Sequence, residues 1–250
     1  MKALLYSVIF FLHVMIIEGS FSRVVGGFEA PANFSKFHTS LQNLNGNHVC
    51  GGAVISIRHI VTAAHCVIDI YPEYIQVVVG TTNLDVGGLR YNVSSIKVHE
   101  DYDLHLKVND IAVLKIKGSF DKEHVQIVNI YLGKLTEGDT VILSGFGAKE
   151  PNGETSRQMY ALNLSVFNQD ICKYAMRYVR DIHDDMFCTF TTIGEGTCHG
   201  DSGGPLVIGN RLVGIVSWGI PCAVGFPDVH TKVTSYIPWL KKQLCSCNNS

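Results

Sequence analysis

The sequence lacks the features that mark membrane-spanning, nucleic-acid-binding or repeat proteins. Its formal net charge is only −2 at pH 7 and its pI is about 6.6, so nothing in its charge favours nucleic acid or an anionic membrane surface. It contains no internal repeat and no low-complexity segment. Beyond the N-terminus, no apolar run reaches the roughly 20 residues that a membrane-spanning helix needs. We therefore expect a soluble globular protein with neither a membrane nor a nucleic-acid partner.

The one long apolar run lies at the N-terminus. Lys2 supplies a positive charge, residues 3–17 are almost wholly apolar, and Glu18-Gly19-Ser20 is polar and small. This order is typical of a secretory signal peptide, which we assign to residues 1–19. The run is too short for a membrane anchor. The sequence therefore predicts a secreted, extracellular product.

Eight cysteines behind such a leader favour disulfide bonds, because secreted proteins fold in an oxidising compartment. No Cys-x-x-Cys spacing occurs, so the cysteines do not indicate a zinc site and we expect no bound metal. Spacing alone cannot assign the pairs. Cys245 and Cys247 lie one residue apart, where a direct bond would close a strained ring, and their state stays open.

Most of the remaining chain indicates short strands separated by turns. Several β-branched runs are bounded by Gly, Asn or Pro, which is typical of strands. They comprise residues 54–57, 75–79, 141–143 and 211–216. One helix is predicted from Val233 onward, because Ile237, Leu240 and Leu244 recur at helical spacing. The pattern predicts an all-β protein with a C-terminal α-helix.

Three short segments supply the residues of a nucleophilic triad. Ser202 stands between glycines, which let backbone N–H groups turn towards whatever its hydroxyl attacks. A serine needs an adjacent base near neutral pH, and His65 in Thr-Ala-Ala-His-Cys can be that base. Asp110 in Asn-Asp-Ile-Ala-Val-Leu can orient the histidine. The order His65, Asp110, Ser202 is that of the chymotrypsin triad.

At these residues the chain resembles the secreted serine endopeptidases of the chymotrypsin and trypsin family, and chymotrypsin-like members most. The resemblance runs from about Val24 to Leu244. It rests on Arg23-Val24-Val25-Gly26-Gly27, TAAHC, NDIAVL, GDSGGP and Ser217-Trp218-Gly219. It implies two antiparallel six-stranded β-barrels with the active site in the cleft between them, plus a C-terminal α-helix. Residues 24–250 would form this protease domain.

The resemblance also implies a mechanism and a way of activation. Ser202 would attack the peptide carbonyl to form an acyl-enzyme, His65 would carry the proton, and the N–H groups of Gly200 and Ser202 would form the oxyanion hole. Residues 20–23 would be a short activation peptide. A trypsin-like protease would cut after Arg23, and the new ammonium of Val24 would pair with Asp201. No cofactor is implied, and the loop near Gly80 lacks the paired glutamates of a calcium site.

The expected disulfides follow from the same resemblance. They are Cys50–Cys66, Cys172–Cys188 and Cys198–Cys222. The expected partners are protein and peptide substrates, the activating protease and protease inhibitors, with the enzyme itself a monomer. Three sequons in a secreted chain also predict glycosylation, at Asn33, Asn92 and Asn163.

The specificity pocket departs from the best-known members of the family. Gly196 stands six residues before Ser202, where trypsin-type enzymes carry Asp, and a neutral residue there suits large apolar or aromatic substrate side chains. Asp228, however, places a carboxylate where the family commonly has glycine. It can attract Lys or Arg, fill part of the pocket or point to solvent, so trypsin-like cleavage stays an alternative. The other predicted pocket residues are Thr197, His199, Ser217, Trp218 and Gly219.

A function of another class is an inactive, protease-like binding module. Such relatives usually lose a triad residue, commonly the serine. This chain retains all three, together with the activation site at Arg23. The sequence therefore favours an active hydrolase.

Overall fold

The computed structural model describes residues 26–245, which contain fourteen β-strands, two α-helices and four 3₁₀ helices. In chain order the strands are β1 (Phe28–Glu29), β2 (His38–Asn43), β3 (His48–Val54), β4 (His59–Thr62), β5 (Ile75–Val79), β6 (Leu89–Val98), β7 (Ala112–Ile116), β8 (Asn129–Ile130), β9 (Thr140–Gly145), β10 (Tyr160–Ser165), β11 (Met186–Thr189), β12 (Pro205–Ile208), β13 (Arg211–Trp218) and β14 (Asp228–Lys232). The helices are α1 (Gln169–Met176) and α2 (Ile237–Cys245), and the 3₁₀ helices are Ala32–Lys36, Ala64–Cys66, Pro72–Tyr74 and Val233–Tyr236.

The first half of the chain forms a closed barrel of six antiparallel strands in the order β2-β3-β4-β7-β6-β5. Closure leaves no strand edge unpaired, and apolar side chains such as Leu41, Ile60 and Leu114 fill the interior. The pairing of β4 with β7 matters most for the site. Thr62 at the end of β4 lies opposite Ala112 at the start of β7. The loop that follows β4 is therefore beside the loop that precedes β7.

The second half of the chain, joined by β1 from its N-terminal part, forms a sheet in the order β1-β10-β9-β12-β13-β14-β11, with β8 added in parallel to β13. Two of its eight strands, β1 and β8, are only two residues long. An isolated β-bridge pairs Val166, the residue after β10, with Thr189, the last residue of β11. It therefore connects the first and the last of the six longer strands in this order. The predicted all-β architecture with a C-terminal helix is confirmed.

The local predictions differ from the structure in two places. Residues 54–57 do not form a strand, because β3 ends at Val54 and the Ser56 hydroxyl accepts hydrogen bonds from the N–H groups of Arg58 and His59, which makes a turn. Helix α1 was not predicted from the sequence. Its first turn is stabilised by the side chain of Asn168, which accepts hydrogen bonds from two backbone N–H groups as an N-cap.

Three disulfides cross-link the described part of the chain, in the pairing implied by the resemblance. They are Cys50–Cys66, Cys172–Cys188 and Cys198–Cys222. Cys245, at the end of α2, is exposed and unpaired among residues 26–245, whereas Cys247 lies outside the described residues. None of the helices between these limits is both long and apolar enough to cross a membrane.

Candidate active site

His65 and Asp110 meet because the loops after β4 and before β7 are adjacent. The Nδ1 atom of His65 lies 2.7 Å from Oδ2 of Asp110, and the backbone N–H of His65 donates to Oδ1 at 2.9 Å. An ionised carboxylate can only accept hydrogen bonds, so Nδ1 carries the proton of the neutral ring. This tautomer leaves the Nε2 lone pair of His65 available to take up a proton.

Two hydroxyl groups from the second half of the molecule hold Asp110 in place. Ser217 donates its Oγ–H to Oδ2 of Asp110 at 2.5 Å, and Thr231 donates to the Asp110 backbone carbonyl at 2.8 Å. The carboxylate is buried and receives three hydrogen bonds. Such bonds compensate the loss of solvation of a buried charge. The role of Ser217 in orienting Asp110 could not be recognised in the sequence, where it was assigned only to the pocket.

Ser202 lies in a loop that packs against the segment carrying His65. Gly203 has a φ of 75°, and a Cβ atom there would lie 2.2 Å from the Thr62 hydroxyl oxygen and 2.6 Å from the Gly51 carbonyl oxygen. Only glycine allows this approach. The Ser202 carbonyl in turn accepts from the N–H of Gly51 at 2.7 Å. The serine loop is thus fixed against the first barrel, on the side of the His65 loop.

Ser202 and His65, the two catalytic candidates, make no direct hydrogen bond to each other. Within residues 26–245, the Ser202 hydroxyl makes no hydrogen bond to His65, whose Nε2 atom lies 3.8 Å from the sulfur of Cys66. Catalytic hydrogen bonds are often long in structures without substrate and tighten when substrate binds.

The backbone around Ser202 presents two N–H groups that no described residue uses. A peptide unit is planar and trans, so its C=O and N–H point in opposite directions. The His199 carbonyl is held by the N–H of Ala148 at 2.7 Å, which fixes the direction of the Gly200 N–H. The Asp201 carbonyl is held by the N–H of Gly204 at 2.9 Å, which fixes the direction of the Ser202 N–H. Both donors are oriented before any ligand arrives.

A buried histidine supports the same loop from behind. His48 places Nε2 2.8 Å from the Gly200 carbonyl oxygen and Nδ1 2.7 Å from the Ser40 hydroxyl. Burial lowers the pKa of His48 to about 4, and the positive charge of Arg157 contributes, so the ring is neutral at physiological pH. His48 was not singled out in the sequence, because its contacts join residues far apart in the chain.

Asp201 is completely buried behind the serine loop. Its two carboxylate oxygens accept hydrogen bonds from the N–H groups of Gly147 and Cys198, both at 3.0 Å. Burial, and to a smaller extent the nearby charge of Asp228, raise its pKa to about 7. No cationic side chain among residues 26–245 forms a salt bridge with it.

The predicted activation bond lies at the edge of what the structure describes. Arg23 and Val24 are outside the described residues. Gly26 has a φ of 91°, and a Cβ atom on it would lie 2.4 Å from Cγ of Glu195. The described chain therefore begins against the segment that leads into Thr197 and the serine loop.

A cavity of about 230 Å³ opens beside Ser202. Its walls include five residues predicted for the specificity pocket, which are Thr197, His199, Ser217, Trp218 and Gly219. Gly196 and Asp228 are buried behind this lining. The cavity is large enough to hold one side chain, and Ser202 is part of its lining.

Asp228 is buried against Thr197, one of the residues that line this cavity, and does not point to solvent. Its oxygens accept from the N–H and the hydroxyl of Thr197, both at 2.7 Å. Cβ atoms built on Gly196 and Gly219 would lie 2.7 Å and 3.0 Å from these oxygens, so the carboxylate sits between two stretches of glycine backbone. Burial raises the pKa of Asp228 to about 6, although both Thr197 hydrogen bonds oppose this shift.

The three sequon asparagines lie on the surface. Asn33 is in the first 3₁₀ helix, Asn92 in β6 and Asn163 in β10, and all three are exposed. Their side chains are therefore accessible to a glycosylating enzyme.

Serine endopeptidases are the class of protein that this fold and these residues define. A hydrogen-bonded histidine–carboxylate pair lies on the first barrel, and a partly exposed serine with unused backbone donors lines a cavity in the loop that packs against it. Comparison with known proteins gives the family. The model of the Trypsin family matches residues 24–240. Chymotrypsin-2 of Vespa crabro is 36% identical over 221 residues, covering 88% of this chain and 99% of the wasp protein.

Other relatives carry different names. Trypsin epsilon of Drosophila erecta is 35% identical over 88% of this chain and 87% of its own length. Hypodermin-B of Hypoderma lineatum is 37% identical over 87% of this chain and 86% of its own length. The chain belongs to the trypsin family of serine endopeptidases.

Proposed function

We propose that this protein is a secreted endopeptidase that is made as a zymogen and cleaves after large apolar residues, with cationic residues accepted through Asp228. The observation that carries the proposal is the hydrogen-bonded His65–Asp110 pair on the barrel against which the Ser202 loop packs. Six of the eight cysteines form three disulfides, which supports secretion. The N-terminal leader at residues 1–19 supports it as well. Glycans on Asn33, Asn92 and Asn163 are part of the same proposal.

The roles follow from the hydrogen bonds. The Ser202 oxygen attacks the substrate carbonyl while Nε2 of His65 takes its proton, and Asp110 stabilises the imidazolium that forms. The carbonyl oxygen becomes negative and accepts from the N–H groups of Gly200 and Ser202. In enzymes of this kind the loss of one such donor reduces the rate by about 100- to 1000-fold. His65 then protonates the leaving amine, and water releases the acyl group by the same steps in reverse order.

Activation would supply the cation that Asp201 lacks among the described residues. Cleavage after Arg23 releases residues 20–23 and leaves an ammonium on Val24, two residues before Gly26. Gly26 already lies against Glu195, close to the loop that ends in Asp201. A buried carboxylate is unfavourable unless it is paired, so the ammonium would stabilise the ionised form of Asp201 and with it the serine loop. A trypsin-like protease would act as the activator.

The specificity follows from the position of Asp228. An apolar side chain can fill the cavity, and the carboxylate behind it tolerates this best when it is protonated or hydrated. A Lys or Arg side chain would instead meet the carboxylate at its flank. The alternative is predominantly trypsin-like cleavage, and the names of the relatives include both chymotrypsin and trypsin. We further propose that the enzyme acts as a monomer and is subject to protease inhibitors.

Active-site labelling of the activated enzyme tests this function. We expect a serine-reactive phosphonate to label the enzyme stoichiometrically and to abolish peptide hydrolysis. Ser202→Ala should remove both labelling and hydrolysis without unfolding the protein, because only one oxygen is lost. Ser119→Ala, which changes an exposed serine that does not line the cavity, is the matched control and should behave as wild type. Wild-type turnover by purified Ser202→Ala would refute the assignment.

A further inference from the structure

A fixed positive charge stands at the edge of the cleft. The guanidinium of Arg180 lies over the ring of Trp218, with its central carbon 4.6 Å from the ring centroid. Trp218 is one of the residues that line the cavity beside Ser202. The Nε–H of Arg180 donates to the His105 carbonyl at 2.7 Å. Stacking and this hydrogen bond together hold the cation on the tryptophan that forms the cavity wall.

This cation forms no salt bridge among residues 26–245. Its charge does act on the nearby Asp103, whose pKa is lowered by the hydrogen bond from the Leu106 N–H and, to a smaller extent, by Arg180. The hydrogen bond to His105 uses only Nε, so the two terminal amino groups remain free to donate. The nearby Asp103 carboxylate instead accepts from the N–H groups of His105 and Leu106, both at 2.8 Å. Arg180 therefore offers the two-pronged donor geometry that suits a carboxylate.

The path of a bound peptide brings it past this residue. If the residue whose carbonyl is attacked places its side chain in the cavity, the preceding part of the substrate must leave along a wall of the cavity. The Ser217–Trp218–Gly219 segment forms one wall, and His199 with the serine loop forms another. The serine loop carries the donors for the oxyanion and faces the bond to be cut. The wall at Trp218 is thus the one available to the N-terminal part of the peptide.

We propose that Arg180 is a specificity-determining residue that selects substrates with an acidic side chain two to four positions N-terminal to the residue in the pocket. The inference rests on the proposed function, because it requires that peptides are cleaved at Ser202. It assigns to this surface a ligand class, the carboxylate of Asp or Glu, that the cavity itself does not select. Arg180 also covers part of the Trp218 ring, so less of the apolar ring surface is available to contact a substrate side chain.

Arg177 provides a matched control from the same segment. Its guanidinium stacks on the rings of Tyr174 and Tyr178, 3.8 Å and 4.3 Å from their centroids. Both tyrosines are exposed, and neither lines the cavity. Removing Arg177 therefore deletes an equal charge and an equal kind of stacking, three residues away, without changing the wall at Trp218.

The experiment measures kcat/KM of activated enzyme on peptides that share one cleaved Phe and differ only in Glu or Gln at the second, third or fourth position before it. Wild type should prefer Glu over Gln at one of these positions by about two- to fivefold, the range of a solvent-accessible ion pair, and added salt should reduce the preference. Arg180→Gln should abolish the Glu preference, Arg180→Glu should reverse it, and Arg177→Ala should keep it.

The Glu-to-Gln ratio is measured within each variant, so it does not depend on how much of a preparation is folded. Equal rates on Glu and Gln peptides in wild type would overturn the inference, as would a preference that survives in Arg180→Gln. If wild type hydrolyses the Gln peptides but shows no preference, only the role of Arg180 fails. If it hydrolyses no peptide and resists phosphonate labelling, the proposed function fails as well.

Discussion

Asp228→Asn is the substitution that tests most directly how the pocket selects its substrate. Asparagine has the shape of aspartate and retains an oxygen that can accept one of the two hydrogen bonds from Thr197. Glycine would leave the buried N–H and hydroxyl of Thr197 without that partner, which costs about 1–3 kcal/mol for each group. The asparagine variant thus removes the charge of Asp228 with little change in structure.

The expected magnitude follows from the contacts of the carboxylate. A hydrogen bond to a charged group contributes about 1.5–3 kcal/mol, which corresponds to roughly 10- to 150-fold in kcat/KM. Thr197 already occupies one acceptor direction on each oxygen of Asp228, and a substrate cation would approach from the side of the pocket. We therefore expect the lower limit, a loss of about tenfold on Arg peptides. Phe peptides should gain a few-fold, because they no longer bury an acid beside an aromatic ring.

The same carboxylate predicts a pH dependence in wild type. Burial raises the pKa of Asp228 to about 6, so the group is ionised at pH 8 and about nine-tenths protonated at pH 5. Attraction for Arg is lost as the pH falls through the pKa, and the Arg-to-Phe ratio should decrease about tenfold. Protonation of Asp201 behind the serine loop, whose pKa burial raises to about 7, changes the rate on both peptides alike and cancels in the ratio.

The assay is kcat/KM for two peptides that differ only in Phe or Arg at the cleaved residue, measured from pH 5 to pH 8, since kcat/KM reports groups of the free enzyme. Asp228→Asn should give a ratio that does not vary with pH. Asp184→Asn, which alters a side chain that is 99% exposed, is the control and should retain the wild-type profile. A Phe-to-Arg ratio that is the same in wild type and Asp228→Asn at every pH would refute the reasoning.

Activation and acid stability can be tested with single substitutions. Arg23→Gln should be secreted normally but resist activation by a trypsin-like protease, and peptide hydrolysis by the uncut variant as fast as by enzyme that begins at Val24 would contradict the Asp201 switch. For His38, burial and the nearby His48 lower the pKa from 6.5 to about 3, so the unfolded chain binds a proton there at pH 5 and the folded one does not. Between pH 7 and pH 5, the free energy of unfolding of wild type should therefore fall by about 2 kcal/mol more than that of His38→Gln, as measured by denaturant unfolding. If the difference in free energy between the two proteins is the same at both pH values, His38 does not titrate as described.

Some features of the site were predictable because they depend on residue types at short spacing. Gly203 must be glycine because its φ is positive and two oxygens stand where a Cβ would be, and such a requirement leaves a local signature around Ser202. His65 and Asp110 were predicted as base and orienting carboxylate from their residue types and their order in the chain, and the resemblance supported this assignment. Neither segment by itself shows that Thr62 lies opposite Ala112, and it is this strand pairing that brings His65 and Asp110 together.

Local prediction failed where two tendencies competed. The β-branched residues at 54–57 favour a strand, but the Ser56 hydroxyl satisfies two backbone N–H groups and turns the chain. Helix α1 has only eight residues, fewer than the window over which a helical period can be recognised, so its strongest signal was the capping residue Asn168.

The sequence by itself determined the class of fold and the absence of an acid at position 196, because these are matters of composition and local pattern, and it predicted Ser202 as the nucleophile and His65 as its base. Only the tertiary structure decided that Asp228 is buried between Gly196 and Gly219, and that Arg180 stacks on Trp218. The physical reason is range. Burial, hydrogen bonding and the pKa of a side chain are set by groups that chain folding brings within a few ångströms, however far apart they stand in the sequence.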